Sequence, residues 1–364
     1  MDLSSTSKLL STPGPILVTG HTGFKGTWLT MLLESLGVEV VGLSLPPEQG
    51  SLYERLNRQE LIPEILADIR DERIVRKALN QFRPSSIIHL AAQPLVLESY
   101  KSPKETFETN VLGTLNILDE AFQTKFIKSI IVATTDKVYK NDESGKPYSE
   151  LDSLAGKDPY SASKVAAESV VTAWQQLANV AGGPSVATVR SGNVIGGGDF
   201  SKDRLMPDLI RGFMKGAPVE ISSENSSRPW QHVLDPLYGY LLVLDSLLEG
   251  RDIGSMNFGP IDTSLTVGEV SKIAAKGWGQ GALLDFKLNE VDLHLESKVL
   301  NLDSRKARVE LGWTPVWNQI ESVNSTIEWW KKTLQSNIPP KVCMLEDISK
   351  LLTAVNHYSI FPKN

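Results

Sequence analysis

The sequence predicts a doubly wound α/β fold, in which helices cover both faces of a parallel sheet, followed by a smaller C-terminal lobe. A short apolar run from Ile16 to Thr19 ends at Gly20, and apolar residues at helical spacing follow from Phe24 to Leu36. The same alternation of strand and helix then repeats through VEVVGLSL, EILADI, IVRKALNQF, SSIIHLAA, TFETNVLGTLNILDEAF and KSIIVATT. Repeated units of this length specify a parallel sheet that is buried on both faces.

The regular alternation ends after SVATVRSGNVIGGGD, where prolines begin to separate shorter elements. We therefore predict a dinucleotide-binding domain over residues 12–195, which segment 230–262 rejoins. Residues 196–229 and 263–335 are predicted to form a substrate-binding lobe. The last stretch, 336–364, is predicted to be a terminal helix or a loosely attached tail.

Composition narrows the class of protein. The chain has 364 residues, 41% of them hydrophobic, so it can bury a sizeable core. Cys343 is the only cysteine, which excludes an internal disulfide and a thiolate metal cage, and we expect no metal site and a reducing, cytoplasmic location. A net charge of -6 without a basic stripe argues against nucleic-acid binding, and no apolar run or leader pattern predicts membrane insertion or secretion. Small molecules are the expected partners.

A glycine-rich turn, TGHTGFKG, carries the first functional signal. Gly20, Gly23 and Gly26 are three residues apart, after a strand and at the opening of an amphipathic helix. The missing side chains permit a tight turn, close approach of a pyrophosphate and close packing of helix on strand, while the helix N-terminus attracts the anion. A glycine triplet alone also occurs in ordinary loops. In this context it predicts a phosphate loop and a Rossmann-type sheet that binds a nicotinamide dinucleotide.

Two positions bear on the choice of cofactor. Ser44 stands at the end of the second strand, where a carboxylate would indicate NAD, and no adjacent arginine indicates NADP. Charge therefore leaves NAD and NADP both open. Asp68, after the third strand, is either an acceptor for the adenine amino group or a cap for the following helix.

Tyr160 and Lys164 form a candidate catalytic pair. They lie four residues apart just inside a helix that Pro159 can start, so both side chains project from one face. A nearby ammonium and a positive nicotinamide ring both favour a phenolate, which makes Tyr160 a candidate general base. The alternative is an exposed helix start with an incidental i,i+4 pair.

A polar segment follows the fifth predicted strand. Thr134, Thr135, Asp136 and Lys137 succeed the apolar run SIIVA, at the edge of the sheet where ligands bind in doubly wound folds. A hydroxyl, a carboxylate and an ammonium can orient a hydroxyl group, donate a proton and remove one, which is more than alcohol oxidation requires. The segment is compatible with elimination chemistry. The alternative, which would be preferred without the Tyr160 and Lys164 pair, is an Asp cap and a solvated lysine in an ordinary loop.

Eight segments, in chain order, resemble the extended short-chain dehydrogenase/reductase family: TGHTGFKG, HLAAQPLV, TNVLGTLN, TTDKVY, DPYSASK, RSGNVIGGGD, DRLMPD and RPWQHVLDPLYGYL. Within the family they look most like its CDP-glucose 4,6-dehydratase branch, and the similarity runs from about Pro15 to about Trp330. The resemblance implies tightly bound NAD and conversion of CDP-glucose to CDP-4-keto-6-deoxyglucose and water. The hydride returns to the sugar, so the reaction has no net redox change.

The resemblance also implies catalytic roles. By analogy, Tyr160 takes the proton of the 4-hydroxyl, Thr135 orients the substrate, Asp136 protonates the departing 6-hydroxyl, and Lys164 holds the nicotinamide ribose. Lys137 occupies a position where related dehydratases commonly have a glutamate base. An ammonium there either stabilises a developing enolate or acts through water, and both roles stay open.

Binding residues follow from the same resemblance. The implied cofactor contacts are Gly20, Gly23, Phe24, Gly26, Asp68, Ile69, Ala91, Ala92, Gln93, Asn110, Tyr160 and Lys164. The implied substrate contacts are Thr135, Asn193, Arg204, Arg228 and His232. Two of these have structural alternatives, since Arg228 could pack along the Trp230 indole and His232 could be a core histidine. Members of the family usually dimerise through two long helices, here Lys104 to Thr124 and Pro159 to Ala178.

Two other functions remain compatible with the sequence. A nucleotide-sugar epimerase or reductase on the same scaffold needs Tyr160, Lys164 and NAD but has no use for an acid at Asp136. A non-catalytic dinucleotide-binding protein needs the glycine loop but no proton relay.

Overall fold

The computed structural model describes residues 7–287 and 297–356. The strands in this part of the chain are β1 (Ile16–Thr19), β2 (Val40–Ser44), β3 (Glu64–Leu66), β4 (Ser86–His89), β5 (Ser129–Ala133), β6 (Ser185–Ser191), β7 (Val194–Ile195), β8 (Val219–Ile221), β9 (Ser227–Arg228), β10 (Gln231–His232), β11 (Ser255–Phe258), β12 (Leu265–Thr266) and β13 (Leu284–Phe286).

The helices of the same residues are α1 (Lys8–Ser11), α2 (Phe24–Ser35), α3 (Leu52–Arg55), α4 (Glu72–Phe82), α5 (Val96–Lys101), α6 (Pro103–Phe107), α7 (Gly113–Phe122), α8 (Pro159–Ala181), α9 (Leu205–Lys215), α10 (Leu234–Leu248), α11 (Val267–Trp278), α12 (Arg305–Leu311), α13 (Gln319–Leu334) and α14 (Pro340–Ala354). Short 3-10 turns occupy Arg58–Glu60 and Asp136–Val138. In the described ranges, no helix has the length and apolar character needed to cross a bilayer.

The predicted sheet is confirmed. Within the described residues, seven strands form one sheet in the order β11-β6-β5-β4-β1-β2-β3, and each pairing in it is parallel. Strands β1, β2 and β4 are buried along their whole length, as expected for a sheet covered on both faces. The strand order reverses between β1 and β4, which opens a crevice for ligands at their carboxyl ends.

Helix starts follow the local sequence. Pro159 occupies the first turn of α8, and the Asp158 and Ser161 side chains form a capping box around it. The predicted long helix through TFETNVLGTLNILDEAF is present, but the segment Glu108–Leu112 is π-helical and joins α6 to α7. Such single-turn bulges often mark functional positions.

The chain beyond β6 contributes both to the sheet and to smaller elements around it. Strand β11 pairs with β6 at the sheet edge, and the almost fully buried α10 packs against β5 and β6. Three two-stranded pairs, β10 with β7, β12 with β9 and β13 with β8, lie outside the sheet. The proposed domain boundaries remain predictions, although the return of 255–258 to the sheet agrees with the expected return of 230–262.

The last described element is a packed helix. Cys343, Met344, Ile348 and Leu351 on α14 are buried, and α14 contacts both α13 and α2. Of the two alternatives for this stretch, the terminal helix is the one that the structure shows up to Ala354.

Candidate active site

The three glycines of the loop differ in what requires them. Gly20 has a φ of 71°, and a Cβ there would lie 2.7 Å from the Ala91 backbone nitrogen. A Cβ at Gly26 would overlap the Gly20 carbonyl and the His21 Cα. Both positions therefore need glycine for the turn and for the packing of α2 against it.

Gly23 is different, because the protein itself leaves room for a side chain. Its φ is -76°, and a Cβ there would lie 3.4 Å from the Gly20 carbonyl oxygen, with no closer neighbour in the described chain. Gly23 is the N-cap of α2, and no side chain caps this helix start. An open, uncapped helix N-terminus beside a glycine fits the pyrophosphate of a dinucleotide. Phe24 follows, and its ring lies against Gly196.

The end of β2 carries a hydroxyl pair instead of a carboxylate. Thr22 and Ser44 hydroxyl oxygens lie 2.7 Å apart, and Thr22 Oγ1 also donates to the Leu45 carbonyl oxygen at 3.0 Å. Any ribose contact here therefore comes from hydroxyl groups, without a charge that distinguishes NAD from NADP.

Asp68 does not cap the helix that follows it. Asp71 is the N-cap of α4, and its side chain accepts from the Arg73 backbone N–H. Asp68 instead accepts two hydrogen bonds from the Arg70 guanidinium at 2.9 and 2.6 Å. Burial raises the pKa of Asp68, but the bonds from Arg70 outweigh it and lower that pKa, so the carboxylate stays charged and can accept from a base amino group. The neighbouring Ile69 side chain is buried against Gly113.

Asn110 fixes the segment after β4. Its Oδ1 accepts from the Gln93 backbone N–H at 2.8 Å, and its Nδ2 donates to the Gln93 carbonyl oxygen at 3.1 Å. The same Nδ2 donates to Ser163 Oγ at 2.8 Å, and Ser163 Oγ donates to the Tyr160 carbonyl oxygen at 2.6 Å. Asn110 lies in the π-helical turn, which aims it at both groups. One buried amide thus joins the predicted cofactor segment, including Ala92, to the helix of the catalytic pair.

The catalytic residues predicted from separate motifs come together at the carboxyl edge of β5. Thr135 follows that strand and caps the 3-10 turn that holds Asp136 and Lys137, its Oγ1 accepting from the Lys137 backbone N–H at 3.3 Å. Thr135 Oγ1 donates to Asp136 Oδ1 at 3.1 Å, and the same side chain lies close enough to Tyr160 to act on the pKa of the phenol. The hydroxyl, the carboxyl group and the phenol therefore form one connected cluster.

Asp136 has the properties of a proton donor. It is 2% exposed, and its Oδ2 has no hydrogen-bond partner among the described residues. Burial raises the pKa of Asp136 to about 6, although the charges of Lys137 and Arg228 and the Thr135 bond act in the opposite direction. A buried carboxyl group with one unbonded oxygen and a pKa close to neutrality can carry a proton and deliver it to a ligand.

Tyr160 is also buried. Burial raises its pKa to about 12, while the Thr135 side chain and the charge of Arg204 act to lower it. The Lys164 ammonium points to the end of β5, where it donates to the Ala133 carbonyl oxygen at 3.1 Å. Burial lowers the pKa of Lys164 to about 8, and the nearby Lys25 ammonium contributes to that shift. The pair lies on one helix face as predicted.

The predicted phosphate-binding residues have different surroundings. Asn193 lies between β6 and β7, and its carbonyl oxygen accepts from the Gln231 N–H at 3.0 Å. Arg204, at the N-cap of α9, lies 4.0 Å from Asp199, and its charge acts on Tyr160. Arg228 is buried, donates to the Ser227 carbonyl oxygen at 2.8 Å, and its charge acts on Asp136. Both guanidinium groups are thus close enough to influence the catalytic cluster.

The structure does not support the predicted substrate contact of His232. The imidazole is fully buried and stacks on Trp317 with ring centroids 4.3 Å apart, while Trp28 contacts it edge-on. Burial lowers its pKa to about 3, so the ring is neutral. Its surroundings are the aromatic core under α14, where Asp347 is its ionisable neighbour at 3.7 Å. The alternative of a core histidine is the correct one.

Two residues close to the site were missed by the sequence analysis. Lys25 donates to Ser191 Oγ at 2.8 Å and to Tyr240 Oη at 3.2 Å, which holds its charge near Lys164. Glu168, two turns after Tyr160 on α8, binds Arg190 on β6. Lys25 could have been noticed as a lysine inside the glycine loop, and Glu168 as the third member of a series spaced four residues apart from Tyr160. The residues that they bond lie far away in the sequence, so their contacts could not be predicted.

The chain is similar in sequence and in fold to known nucleotide-sugar enzymes. The sequence profile of the NAD dependent epimerase/dehydratase family matches residues 16–259. CDP-glucose 4,6-dehydratase of Salmonella typhimurium is 40% identical over 351 residues, which cover 93% of this chain and 96% of that protein. A probable dTDP-glucose 4,6-dehydratase of Sinorhizobium fredii is 28% identical, with 86% of this chain and 92% of that protein covered. The solved UDP-glucose 4-epimerase of Thermus thermophilus, in complex with NAD, has a TM-score of 0.77 at 26% identity and covers 88% of this chain and 100% of its own.

The chain belongs to the NAD dependent epimerase/dehydratase family. The predicted resemblance to extended short-chain dehydrogenases and dehydratases is therefore confirmed, as is the Rossmann-type fold. NAD, which charge alone left open against NADP, is the cofactor of this family.

Proposed function

We propose that the protein is a nucleotide-sugar 4,6-dehydratase that converts CDP-glucose to CDP-4-keto-6-deoxyglucose and water with NAD retained. The observation that carries this proposal is the buried Asp136, whose unbonded Oδ2 and pKa of about 6 provide a proton for a leaving hydroxyl. An epimerase or reductase needs the Tyr160 and Lys164 pair but no such acid. The relatives from Salmonella typhimurium and Sinorhizobium fredii, both 4,6-dehydratases by name, support the same reaction.

Each catalytic residue has a proton to hold or to move. Tyr160 removes the proton of the sugar 4-hydroxyl, and Thr135, whose side chain acts on the phenol, orients that hydroxyl. When bound, NAD supplies reversible hydride storage for the sugar. The 4-keto sugar loses its C5 proton to a water molecule in the site, and Asp136 donates its proton to the 6-hydroxyl, which leaves as water. The stored hydride then returns to C6 and a proton returns to C5, so the sugar has no net change of oxidation state. Because burial raises the pKa of Tyr160 to about 12, the residue can remove a proton at neutral pH only if positive charge lies close to its phenol.

Positive side chains supply part of that charge. Arg204 already lowers the pKa of Tyr160, and Lys164 lies one turn further along the same helix. We assign Lys164 to the cofactor ribose, and Arg204, Arg228 and Asn193 to the diphosphate and nucleotide of the substrate. We assign Lys137, whose charge acts on Asp136, to the stabilisation of negative charge that develops on the sugar during elimination.

The glycine loop and the segment after β4 hold the cofactor in this proposal. Gly23 leaves space for the pyrophosphate at the N-terminus of α2, and Asp68 accepts from the adenine amino group. Ala91, Ala92 and Gln93 line the dinucleotide, with Asn110 fixing the Gln93 backbone.

Purified protein incubated with CDP-, UDP-, GDP- and dTDP-glucose and analysed by mass spectrometry tests the proposal. We expect loss of one water from CDP-glucose without consumption of added cofactor, and little conversion of the other three. Absence of water loss from every substrate would exclude the dehydratase, and an epimer as product would favour the epimerase. Conversion of dTDP-glucose in preference to CDP-glucose would support the dehydratase reaction but would show that the proposed nucleotide of the substrate is wrong.

We also propose a cytoplasmic homodimer. Apolar side chains exposed on α5 to α7 and on α8 support an interface of these adjacent helices: Leu97, Tyr100, Phe107, Leu112, Leu177 and Val180. The single cysteine, buried on α14, fits a reducing compartment. Light scattering after size exclusion should give twice the chain mass, and a Leu112→Glu variant should shift the protein toward monomer.

A further inference from the structure

The buried carboxylate of Glu168 lies behind the segment Thr134 to Asp136, which we call the catalytic turn, and has no role in the reaction described above. Glu168 Oε1 accepts from Thr134 Oγ1 at 2.6 Å and from Arg190 Nε at 2.7 Å. Its Oε2 accepts from Thr188 Oγ1 at 2.9 Å and from an Arg190 terminal nitrogen at 2.9 Å. The four bonds come from the catalytic turn and from β6, so this one side chain joins α8 to both.

The position of Glu168 in the chain connects it with both parts of the catalytic cluster. Tyr160, Lys164 and Glu168 are spaced four residues apart on α8 and therefore share one face of the helix. Thr134, which Glu168 holds, directly precedes Thr135 and Asp136. A displacement of Glu168 would consequently move the turn that carries the proton donor.

The guanidinium of Arg190 is itself fixed from the other side. It donates to Tyr139 Oη at 2.9 Å, and Tyr139 Oη donates to Asn257 Oδ1 at 2.7 Å. Asn257 Nδ2 in turn donates to the Tyr148 and Asp303 carbonyl oxygens. The buried chain of bonds therefore reaches from the catalytic turn to the segment that precedes α12, and it holds Glu168 in one orientation.

A buried ion pair can be a purely structural feature, and replacing such a pair with apolar residues is often neutral for stability. Two observations go beyond that role. Glu168 bonds the catalytic turn itself through Thr134, and its negative charge raises the pKa of Lys164 against burial and Lys25. Neither contact is needed to pair Arg190.

We propose that Glu168 is a positioning residue of this site, which holds the Thr134 to Asp136 turn in its reactive geometry and lies one helical turn from Lys164 on the same face of α8. The inference rests on the proposed dehydratase function for its effect on turnover. Its effect on Lys164 is a property of the folded protein and can be measured without any substrate.

The titratable groups that face Lys164 come from three elements. Lys25 on α2 lowers its pKa, Glu168 on its own helix raises it, and His89 on β4, which feels the Lys164 charge, is itself neutral because burial lowers its pKa to about 3. Removing the Glu168 charge leaves Lys25 unopposed. The ammonium is then lost at a lower pH, so any activity that depends on it falls at a lower pH as well.

The decisive variant is Glu168→Gln, which keeps the size of the side chain and removes its charge. Protein labelled with carbon-13 at the lysine ε position, with Lys164→Arg used for assignment, reports the Lys164 titration by NMR. We expect its pKa to fall by roughly 0.5 or more from about 8, kcat to fall roughly tenfold with KM little changed, and the alkaline limb of kcat to move to lower pH. Unchanged Lys164 titration and kcat in a folded Glu168→Gln protein would overturn the proposal.

Two further variants separate positioning from simple loss of structure. Thr134→Val removes the bond to the turn but keeps the ion pair, so kcat should fall while the Lys164 titration stays unchanged. This variant also tests the positioning role if Glu168→Gln fails to fold. Glu150→Gln is the matched control, because Glu150 is a partly buried carboxyl group that accepts from the Asn257 backbone N–H at 2.7 Å and has no hydrogen bond or ion pair with Thr134 or Lys164 among the described residues.

The control should leave both kcat and the Lys164 titration unchanged. If Glu150→Gln reproduced the Glu168→Gln effects, a general response of the buried chain of bonds would explain them and the specific role of Glu168 would be wrong. Wild-type protein that dehydrates no nucleotide sugar would count against the proposed function alone, since the NMR titration would still decide the coupling of Glu168 to Lys164.

Discussion

The two halves of the crevice work through different parts of the chain. On the cofactor side, after β1, the protein presents backbone: a glycine turn and an open helix N-terminus at Gly23. On the chemical side, after β5, it presents buried ionisable side chains, Asp136, Tyr160 and Lys164, whose pKa values are all shifted by burial. A bound anion can be satisfied by shape and N–H groups, whereas proton transfer needs groups whose charge is costly in the resting protein. The first half therefore defines a ligand, and the second defines a reaction.

Replacing the phenol should cause the largest effect and should be confined to the chemical side. We expect Tyr160→Phe to lower kcat by roughly 10³- to 10⁴-fold, since a general base contributes up to that amount, while NAD affinity stays within about threefold. Turnover by mass spectrometry and NAD titration by tryptophan fluorescence measure the two quantities. Full activity in this variant would show that Tyr160 is not the base and that the chemical side of the crevice does not depend on its phenol.

Asp136→Asn should follow, with a loss of roughly 10²- to 10³-fold in dehydration. In deuterated water the recovered CDP-glucose should gain deuterium at C5, because the steps before loss of the 6-hydroxyl remain possible. Tyr160→Phe should show no such exchange. Water loss at the wild-type rate from Asp136→Asn would contradict its role as the acid.

Asp136→Asn should also raise the free energy of unfolding at neutral and alkaline pH. Because the pKa of Asp136 is raised from 3.8 to about 6 in the folded state, the folded protein loses stability as the pH rises from about 4 to about 6. The loss is about 2 to 3 kcal/mol at most, and asparagine avoids it. The melting temperature of Asp136→Asn should exceed that of the wild type at pH 8 and match it near pH 4. A variant that is less stable at pH 8 would show that the Asp136 charge is favourable in the fold.

Two glycine variants test the cofactor side of the crevice, where we expect smaller changes in NAD affinity and in stability. Gly23→Ala meets no obstacle in the protein, so the melting temperature without NAD should stay unchanged or rise slightly, while NAD affinity falls about tenfold, or ~1.4 kcal/mol. Gly26→Ala is the matched comparison, because its Cβ overlaps backbone and should cost ~2 kcal/mol or more of stability. Equal NAD affinity in Gly23→Ala and wild type would mean that the pyrophosphate does not lie at this position.

The smallest effect is expected at His232, which belongs to neither half. His232→Phe keeps an aromatic ring between Trp28 and Trp317 and removes a buried nitrogen, Nε2, that lacks a hydrogen-bond partner in the described part of the chain. Steady-state kinetics with CDP-glucose should give kcat and KM within about twofold of the wild type. A KM raised tenfold or more, with the melting temperature unchanged, would restore His232 to the substrate site.

Sequence patterns predicted the elements of the site better than their contacts. The glycine spacing, the Tyr160 and Lys164 pair and the polar turn after β5 were each visible, because each is local and recurs with a definite element. Lys164 was expected to favour the phenolate of Tyr160 by its charge, whereas the contact that the structure shows for its ammonium is with the Ala133 carbonyl oxygen. His232 was assigned to substrate because a motif cannot distinguish a buried ring from one that lines a cleft.

By itself, the sequence determined the strand and helix order, the phosphate loop, the residue types available for catalysis and the resemblance to a family of nucleotide-sugar enzymes. These follow from periodicity, turn chemistry and short motifs, which depend on neighbouring residues. Only the tertiary structure decided which groups are desolvated and what they touch: the unbonded oxygen of Asp136, the amide of Asn110 that joins two segments, and Glu168 behind the catalytic turn. Burial and hydrogen bonding between distant parts of the chain set those properties, and both arise only when the sheet brings the ends of its strands together.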